Sequence, residues 1–193
     1  ADYVGLDEYI EKIKGGWTCN GVNTAQLLKL LEGRVDRKKI ITILNNGVDN
    51  KGFNFLVSHM QKHVKSSSWR SAWIINNAMD KNDIRLKNLL TKIIQSISDK
   101  EDGHQRELLK VVMKMEPLNE DAEGYFFDVC INLWEEVNKQ PAVRYYAGCY
   151  ILTIATKYPE IKNELGVLFG DYYIQSLSPG IKQIFERKLA ELN

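Results

Sequence analysis

The chain has 193 residues, of which 44% are hydrophobic and 26% are charged. Its formal net charge of +1 excludes a basic electrostatic footprint over the whole molecule. Four prolines and 13 glycines are too few for a linker-rich or low-complexity protein, so we expect a single repeat domain over residues 1–193.

The first predicted elements are capping helices within residues 6–33. Segments 6–14 and 23–31 have helical apolar spacing, and a Gly15-Gly16 turn follows the first of them. A helix pair is then predicted over residues 36–65, with Arg37 near its start. Stacked pairs need caps of this kind, because each pair buries its apolar face only against a neighbour.

Three further helix pairs are predicted over residues 68–98, 104–138 and 142–178, with a closing helix over 180–193. Arg70, Arg106 and Arg144 each lie near the start of a pair, at intervals of 36 and 38 residues. Apolar residues follow at spacings of three and four, which is typical of a half-buried helix. The four prolines fall between the predicted helices, and no strand-like alternation extends over five or six residues. We therefore predict an all-α fold.

The repeated strings resemble those of the HEAT-repeat superfamily. Examples are Ser68-Trp69-Arg70-Ser71-Ala72 and Ala142-Val143-Arg144-Tyr145-Tyr146-Ala147, each followed by two amphipathic helices. The resemblance covers residues 36–179 and implies a right-handed α-solenoid of stacked antiparallel HEAT-like helix pairs. In that family the arginine often pairs with an acidic side chain of a neighbouring repeat. For Arg106, Asp99 or Asp102 are the expected partners.

Signatures of catalysis and of cofactor binding are weak. His59 and His63 share a helix face, but Met60 stands where a metalloprotease needs Glu, and no third ligand lies at motif spacing. The carboxylate clusters at 99–102 and 120–123 lie at predicted helix starts, where negative charge is favourable. We expect no cofactor and no metal ion, and a binding protein rather than an enzyme.

Aromatic residues and the repeat arginines define a candidate binding surface. Adjacent tyrosines, as in Tyr145-Tyr146, cannot both point into one core, and exposed aromatics are enriched in binding surfaces. Packing of these rings between the helix layers is the alternative. The candidates are Trp69, Arg70, Trp73, Arg106, Arg144, Tyr145, Tyr146, Tyr172 and Tyr173. We expect a protein or peptide partner on the concave face of the stack.

A DNA-repair enzyme is the second hypothesis. The Trp69-Arg70-Ser71-Ala72 string resembles helix starts in the alkylpurine DNA glycosylases, a HEAT-like group. This resemblance implies a basic concave face that holds the duplex, with aromatic and acidic residues around the lesion. Residues 29–92 have 13 basic and 5 acidic side chains, which suits phosphate contacts. Seven acidic residues further along would repel the backbone, namely Asp121, Glu123, Asp128, Glu135, Glu136, Glu164 and Asp171.

The charge distribution and the cysteines indicate the surroundings of the protein. Residues 1–100 carry 16 Lys/Arg against 10 Asp/Glu, whereas residues 101–193 carry 10 against 15, so we expect a bipolar surface. Three cysteines are an odd number, which favours a reducing compartment. With no apolar run long enough to cross a bilayer, we expect a cytoplasmic protein that does not bind membranes.

Overall fold

The computed structural model describes residues 24–32, 50–64 and 67–192. Within these ranges every regular element is a helix, which confirms the predicted all-α fold. The predicted helix 6–14, Arg37 and Cys19 lie outside the described residues. The chain divides into two compact units between Met79 and Asp80. The single repeat domain, its predicted pair boundaries and the right-handed superhelix stay predictions.

The first unit contains helices α1 (Thr24–Glu32), α2 (Asn50–Met60) and α3 (Ser67–Ala78). Each of the three contacts the other two. Their apolar side chains form a common core that comprises Leu27, Leu31, Phe53, Leu56, Val57, Met60, Ala72, Ile74 and Ile75. His59 Nε2 lies 2.8 Å from Ser67 Oγ, so a buried hydrogen bond links the end of α2 to the start of α3.

The second unit begins with a 3₁₀ helix (Ile84–Leu89) that leads into α4 (Leu90–Gln95). Three longer helices follow: α5 (Asp102–Met113), α6 (Glu120–Glu135) and α7 (Pro141–Lys157). A second 3₁₀ helix (Pro159–Ile161), α8 (Lys162–Leu168), the short α9 (Asp171–Ile174) and α10 (Pro179–Leu192) complete it. Asn119 caps α6 by accepting a hydrogen bond from Ala122 N at 2.8 Å.

These helices form two layers within the second unit. In one layer α7 packs between α5 and α10, and in the other α4 packs against α6. Contacts of α4 with α5 and of α6 with α7 join the layers, as expected for helix pairs connected by short loops. The side chains between the layers are almost completely buried, among them Ile93, Ile94, Leu108, Val112, Phe126, Cys130, Val143, Ala147 and Ile151.

Close aromatic packing holds α10 against α7. Trp134 from α6 packs against Phe169 and Phe185, with ring centroids 4.5 and 5.2 Å away, and the two phenylalanine rings contact each other at 5.3 Å. Phe185 of α10 reaches α7 at Gly148, where an added Cβ would lie only 2.8 Å from Phe185 Cζ and 2.9 Å from Trp134 Cζ3. The missing side chain at Gly148 therefore allows the two aromatic rings to approach the backbone of α7.

Candidate binding surface

Arg144, one of the predicted surface residues, is completely buried. Its Nε donates to the Trp134 carbonyl at 2.9 Å, and its two terminal nitrogens donate to Ser176 Oγ and to the Tyr173 carbonyl. The guanidinium carbon also lies 4.6 Å from the centroid of the Trp134 ring. Arg144 thus joins the end of α6 to the segment after α9, and it contributes to the fold rather than to a surface.

The candidates in the first unit lie on α3. Trp69 is 36% exposed, and the Arg70 guanidinium lies 5.7 Å from the centroid of its ring. An Arg70 terminal nitrogen donates to the Leu31 carbonyl near the end of α1. Trp73 is half-buried. Arg70 thus stabilises the contact between α1 and α3 through a main-chain carbonyl, much as Arg144 does in the second unit.

Tyr172 and Tyr173 differ in exposure, as expected for adjacent residues of a helix. Tyr172 is 63% exposed, whereas Tyr173 is half-buried and its carbonyl accepts the hydrogen bond from Arg144. Their rings meet edge to face with centroids 5.1 Å apart. Tyr172 therefore presents an exposed ring on α9, away from the other predicted tyrosine pair.

Tyr146 contacts the cationic edge of α5. Its ring lies 5.6 Å from Lys110 Nζ, within the range of a cation–π interaction. Glu107, which is buried, accepts hydrogen bonds from Lys110 at 3.1 and 3.2 Å and from Arg106 Nε at 3.0 Å. One buried carboxylate thus holds two cations beside a half-buried tyrosine.

Tyr145 lies on the opposite flank of α7, beside α10. Its ring is 5.3 Å from the Tyr146 ring and 6.0 Å from the Phe185 ring. The neighbouring Cys149 thiol raises the pKa of Tyr145, burial raises it further, and the positive charge of Arg187 lowers it only in part. The hydroxyl is therefore a protonated hydrogen-bond donor at neutral pH.

Together these side chains form a continuous strip across α5, α7 and α10. We name it the tyrosine–cation surface, and its members are Arg106, Lys110, Tyr145, Tyr146, Cys149, Arg187 and Lys188. It continues into an open groove of about 220 Å³ between α7 and α10. The groove is lined by Leu152, Thr153, Thr156, Lys188, Glu191 and Leu192. Two of the predicted tyrosines and one predicted arginine, Arg106, thus lie on one strip.

Exposed carboxylates of the second unit lie on α6, α8 and α9, whereas the exposed Lys87 and Lys92 lie just before α4 and on it. The carboxylates are Glu120, Asp121, Asp128, Glu135, Glu164 and Asp171, and Glu136 directly follows α6. On the α5–α7–α10 side, Arg106, Lys110, Arg187 and Lys188 predominate, while Glu186 and Glu191 are the exposed carboxylates of α10. Sequence analysis predicted a basic first half and an acidic second half of the chain. It did not identify the group of cations on α5 and α10 within the acidic half.

Sequence analysis also missed Lys110, Arg187, Lys188 and Cys149 as members of the surface. A signal for Lys110 was present, because Arg106 and Lys110 are four residues apart on one helix face. Cys149 is likewise four residues after Tyr145. No such spacing connects Arg187 to either helix, since its place depends on the packing of α10 against α7.

A buried carboxylate lies at the other end of α7. Glu123 of α6 accepts hydrogen bonds from Lys157 Nζ at 2.7 Å and from the Tyr158 hydroxyl at 2.7 Å. Burial alone would raise the pKa of Glu123, but these hydrogen bonds outweigh it and lower the pKa below 4.5. This network therefore stabilises the α6–α7 pair only while Glu123 is ionised.

We expect Glu123→Gln to lower the free energy of unfolding at pH 7 and to lower it less at pH 3. Since the folded-state pKa lies below 4.5, the contribution of Glu123 is complete above pH 4.5 and is lost as pH falls through the folded-state pKa. Urea unfolding of both proteins across this range measures the effect. Asp128→Asn, at an exposed position of the same helix, is the matched control. An equal gap between wild type and Glu123→Gln at both pH values would contradict the expectation.

The described cysteines and histidines do not form a reactive site. Burial, with the negative charge of Glu116 nearby, raises the pKa of Cys130 well above its usual value, and burial also raises that of Cys149. Both thiols are therefore protonated at neutral pH and poor nucleophiles. His59 is buried against Ser67 while His63 is exposed. In the described part of the chain no three His, Cys, Asp or Glu residues are arranged to hold a metal ion.

Comparison with known proteins identifies a family that the chain matches. The family model described as a HEAT repeat domain matches residues 27–192. No solved structure matches the chain significantly. Among the described helices, none has the length and apolar character needed to cross a membrane.

Proposed function

Because the chain belongs to the HEAT repeat domain family, we propose that this helical-repeat module is non-catalytic and binds a protein or peptide through the tyrosine–cation surface. The observation that carries the proposal is the position of Tyr145 and Tyr146. The two rings lie edge to face on α7, half-buried, with cationic side chains of α5 and α10 on either side. We propose that this strip lies on the concave face of a right-handed stack of helix pairs.

Physical properties of the strip favour a partner rather than a core role. Tyrosine offers a large ring and a hydroxyl at a low cost in side-chain entropy, which is why it is enriched at interfaces. Arginine is also enriched there. The raised pKa of the Cys130 thiol and the ion pair of Glu123 with Lys157 suit structure rather than catalysis. The match to a repeat family supports binding in general and is silent on the partner.

We expect the double variant Tyr145→Ala with Tyr146→Ala to lose most of its captured partner. The immobilised protein is incubated with nuclease-treated extract, and bound proteins are quantified by mass spectrometry. Loss of two central aromatic side chains should weaken binding by roughly 2–4 kcal/mol, which is about 30- to 1,000-fold. Tyr125→Ala with Tyr172→Ala, at exposed tyrosines of α6 and α9, is the matched control. If both double variants capture the same proteins as wild type, the proposed surface is wrong.

DNA binding of the glycosylase type is the competing proposal. Its support is Trp69, an exposed ring beside the Arg70 guanidinium on α3. Binding of duplex DNA at low salt, with a steep loss as salt rises, would favour it over a protein partner.

A further inference from the structure

We propose that the tyrosine–cation surface recognises an acidic, extended segment of about five or six residues in its protein partner. This inference rests on the proposed function and specifies the chemistry of the ligand. The surface places cations at both edges and two tyrosines between them. An acidic segment with an apolar or aromatic residue at its centre matches that order.

The arrangement of charge at the α5 edge supports a negatively charged ligand. The carboxylate of Glu107 is 1% exposed and lies between Arg106 and Lys110, so one negative charge faces two positive charges. Because Glu107 is buried, its carboxylate is shielded from an approaching ligand while the two cationic head groups remain partly exposed. A ligand carboxylate would supply the second negative charge and meet donors already held in position.

The α10 edge repeats this polarity. The positive charge of Arg187 lowers the pKa of Tyr145, and that of Lys188 lowers the pKa of Cys149, so both cations lie near α7. Lys188 also lines the open groove between these helices. The Tyr145 hydroxyl is hydrogen-bonded to Cys149 and holds the tyrosine ring beside these cations. A second ligand carboxylate would therefore find two cations at this edge.

The distance across the three helices gives the length of the segment. Packed helices lie about 8–10 Å apart, so the axes of α5 and α10 are separated by about 16–20 Å across α7. An extended chain advances about 3.3 Å per residue. About five or six residues thus reach from one cationic edge to the other.

A nucleic acid fits this surface less well than an acidic peptide does. Residues 80–193 contain 15 Lys/Arg and 18 Asp/Glu, a net charge of −3. Duplex DNA has one charge for about every 1.7 Å of its axis, and it would meet Glu186, Glu191 and the carboxylates of the other layer. A short peptide is affected mainly by charges within about 8–10 Å, so it interacts with the cations of the strip and with Glu186 and Glu191, and not with the more distant carboxylates of α6.

The test uses the whole chain and two synthetic peptides. The first peptide has the sequence Glu-Asp-Trp-Leu-Asp-Glu, and its twin has Gln and Asn at every acidic position. Titrations followed in ¹H–¹⁵N NMR spectra measure affinity and location together. We expect the acidic peptide to bind about tenfold more tightly than its twin at low salt, the effect of about two exposed ion pairs. The largest chemical-shift changes should occur at the backbone amides of Lys110, Tyr145, Tyr146 and Arg187.

Charge reversal separates local recognition from net charge. Lys110→Glu with Arg187→Glu should weaken binding of the acidic peptide about tenfold. Lys87→Glu with Lys92→Glu changes the net charge by the same amount at exposed positions on the other side of the second unit. This pair should weaken binding of the acidic peptide less than about twofold. Equal weakening by both pairs, or equal affinity for both peptides, overturns the inference.

The remaining outcomes distinguish this inference from the function on which it rests. If the acidic peptide does not bind but capture of proteins still depends on Tyr145 and Tyr146, the partner is not acidic and the proposed function stands. If the acidic peptide does not bind and capture of proteins does not depend on Tyr145 and Tyr146 either, both fail. If a twelve-base-pair DNA duplex displaces the peptide from the same residues at a lower concentration, the ligand is a nucleic acid and the inference is wrong.

Discussion

Replacement of Arg144 by alanine should destabilise the second unit by about 3–5 kcal/mol, since each carbonyl stranded without its donor costs about 1–3 kcal/mol. Two such acceptors, the Trp134 and Tyr173 carbonyls, depend on this guanidinium. The Trp134 ring would also lose the stacked cation above it. The free energy of unfolding of a small domain is only about 5–15 kcal/mol, so the expected loss is a large fraction of it.

Urea unfolding followed by circular dichroism measures this loss. Arg144→Lys keeps the positive charge but replaces the fork of nitrogens by a single amine, so we expect stability between wild type and Arg144→Ala. Arg187→Ala is a control because Arg187 is exposed. A midpoint for Arg144→Ala equal to that of wild type would mean that the three hydrogen bonds contribute nothing.

Gly148→Val should destabilise the second unit by about 3 kcal/mol, the upper end of the usual cost of overpacking a core. A Cβ at Gly148 would approach Phe185 Cζ to 2.8 Å and Trp134 Cζ3 to 2.9 Å, and valine adds two methyl groups beyond it. Since both rings belong to one packed aromatic cluster, neither can withdraw without disturbing the other. We expect α10 to loosen from α7 first.

Gly124→Val is the matched control for this prediction. Gly124 is an exposed residue of α6, and an added Cβ there has no heavy atom within 4 Å. Valine is a poorer helix former than most residues but a better one than glycine, so stability should stay within about 0.5 kcal/mol or rise slightly. Thermal unfolding of the two variants compares them directly. Equal loss in both would show that helix propensity, and not the aromatic cluster, governs position 148.

The helix starts were predictable because they depend on local sequence. Arg70, Arg106 and Arg144 each follow the start of a helix by three or four residues, since α3, α5 and α7 begin at Ser67, Asp102 and Pro141. The hydrogen-bond partners were not predictable in the same way. Main-chain carbonyls accept from Arg70 and Arg144, and such acceptors exist at every position of a sequence.

The expected acidic partners of Arg106 illustrate the same limit. Arg106 pairs with Glu107, the next residue, and Asp102 accepts a hydrogen bond from Gln140 N at 2.7 Å and lies 3.3 Å from Lys139 Nζ. Asp102 thus holds the loop before α7 and is not the partner of Arg106. The side-chain types suggested a charge pair, but the choice among nearby charges depends on where the following loop returns.

The second helix of the last pair differs from its predicted form. In the pair predicted over 142–178, helical apolar spacing at Ile161, Leu165, Leu168, Phe169 and Tyr172 indicates one continuous second helix. The chain instead forms a 3₁₀ turn, α8 and the short α9. Gly170 lies between α8 and α9 in an extended conformation with φ −69° and ψ 168°. The interruption brings the Tyr173 carbonyl to Arg144, a tertiary contact that overrides the local apolar pattern.

Sequence analysis proposed Tyr145, Tyr146 and Arg106 for the candidate surface, but it did not propose the other cations of the strip. Adjacent tyrosines must point in different directions, so Tyr145 and Tyr146 were identified without a fold. Their cationic neighbours come from other helices. Lys110 precedes Tyr146 by 36 residues, and Arg187 follows Tyr145 by 42 residues. Only the packing of α5 and α10 against α7 brings these residues together.

Hydrogen–deuterium exchange of the protein alone and with its captured partner tests the central claim most directly. The account predicts slower exchange on binding in α5, α7 and α10, with the largest change around Tyr145 and Tyr146. It predicts little change in α6, where the exposed side chains are mostly acidic. Protection centred on α6, or on the first unit alone, would contradict the assignment of the tyrosine–cation surface as the binding site.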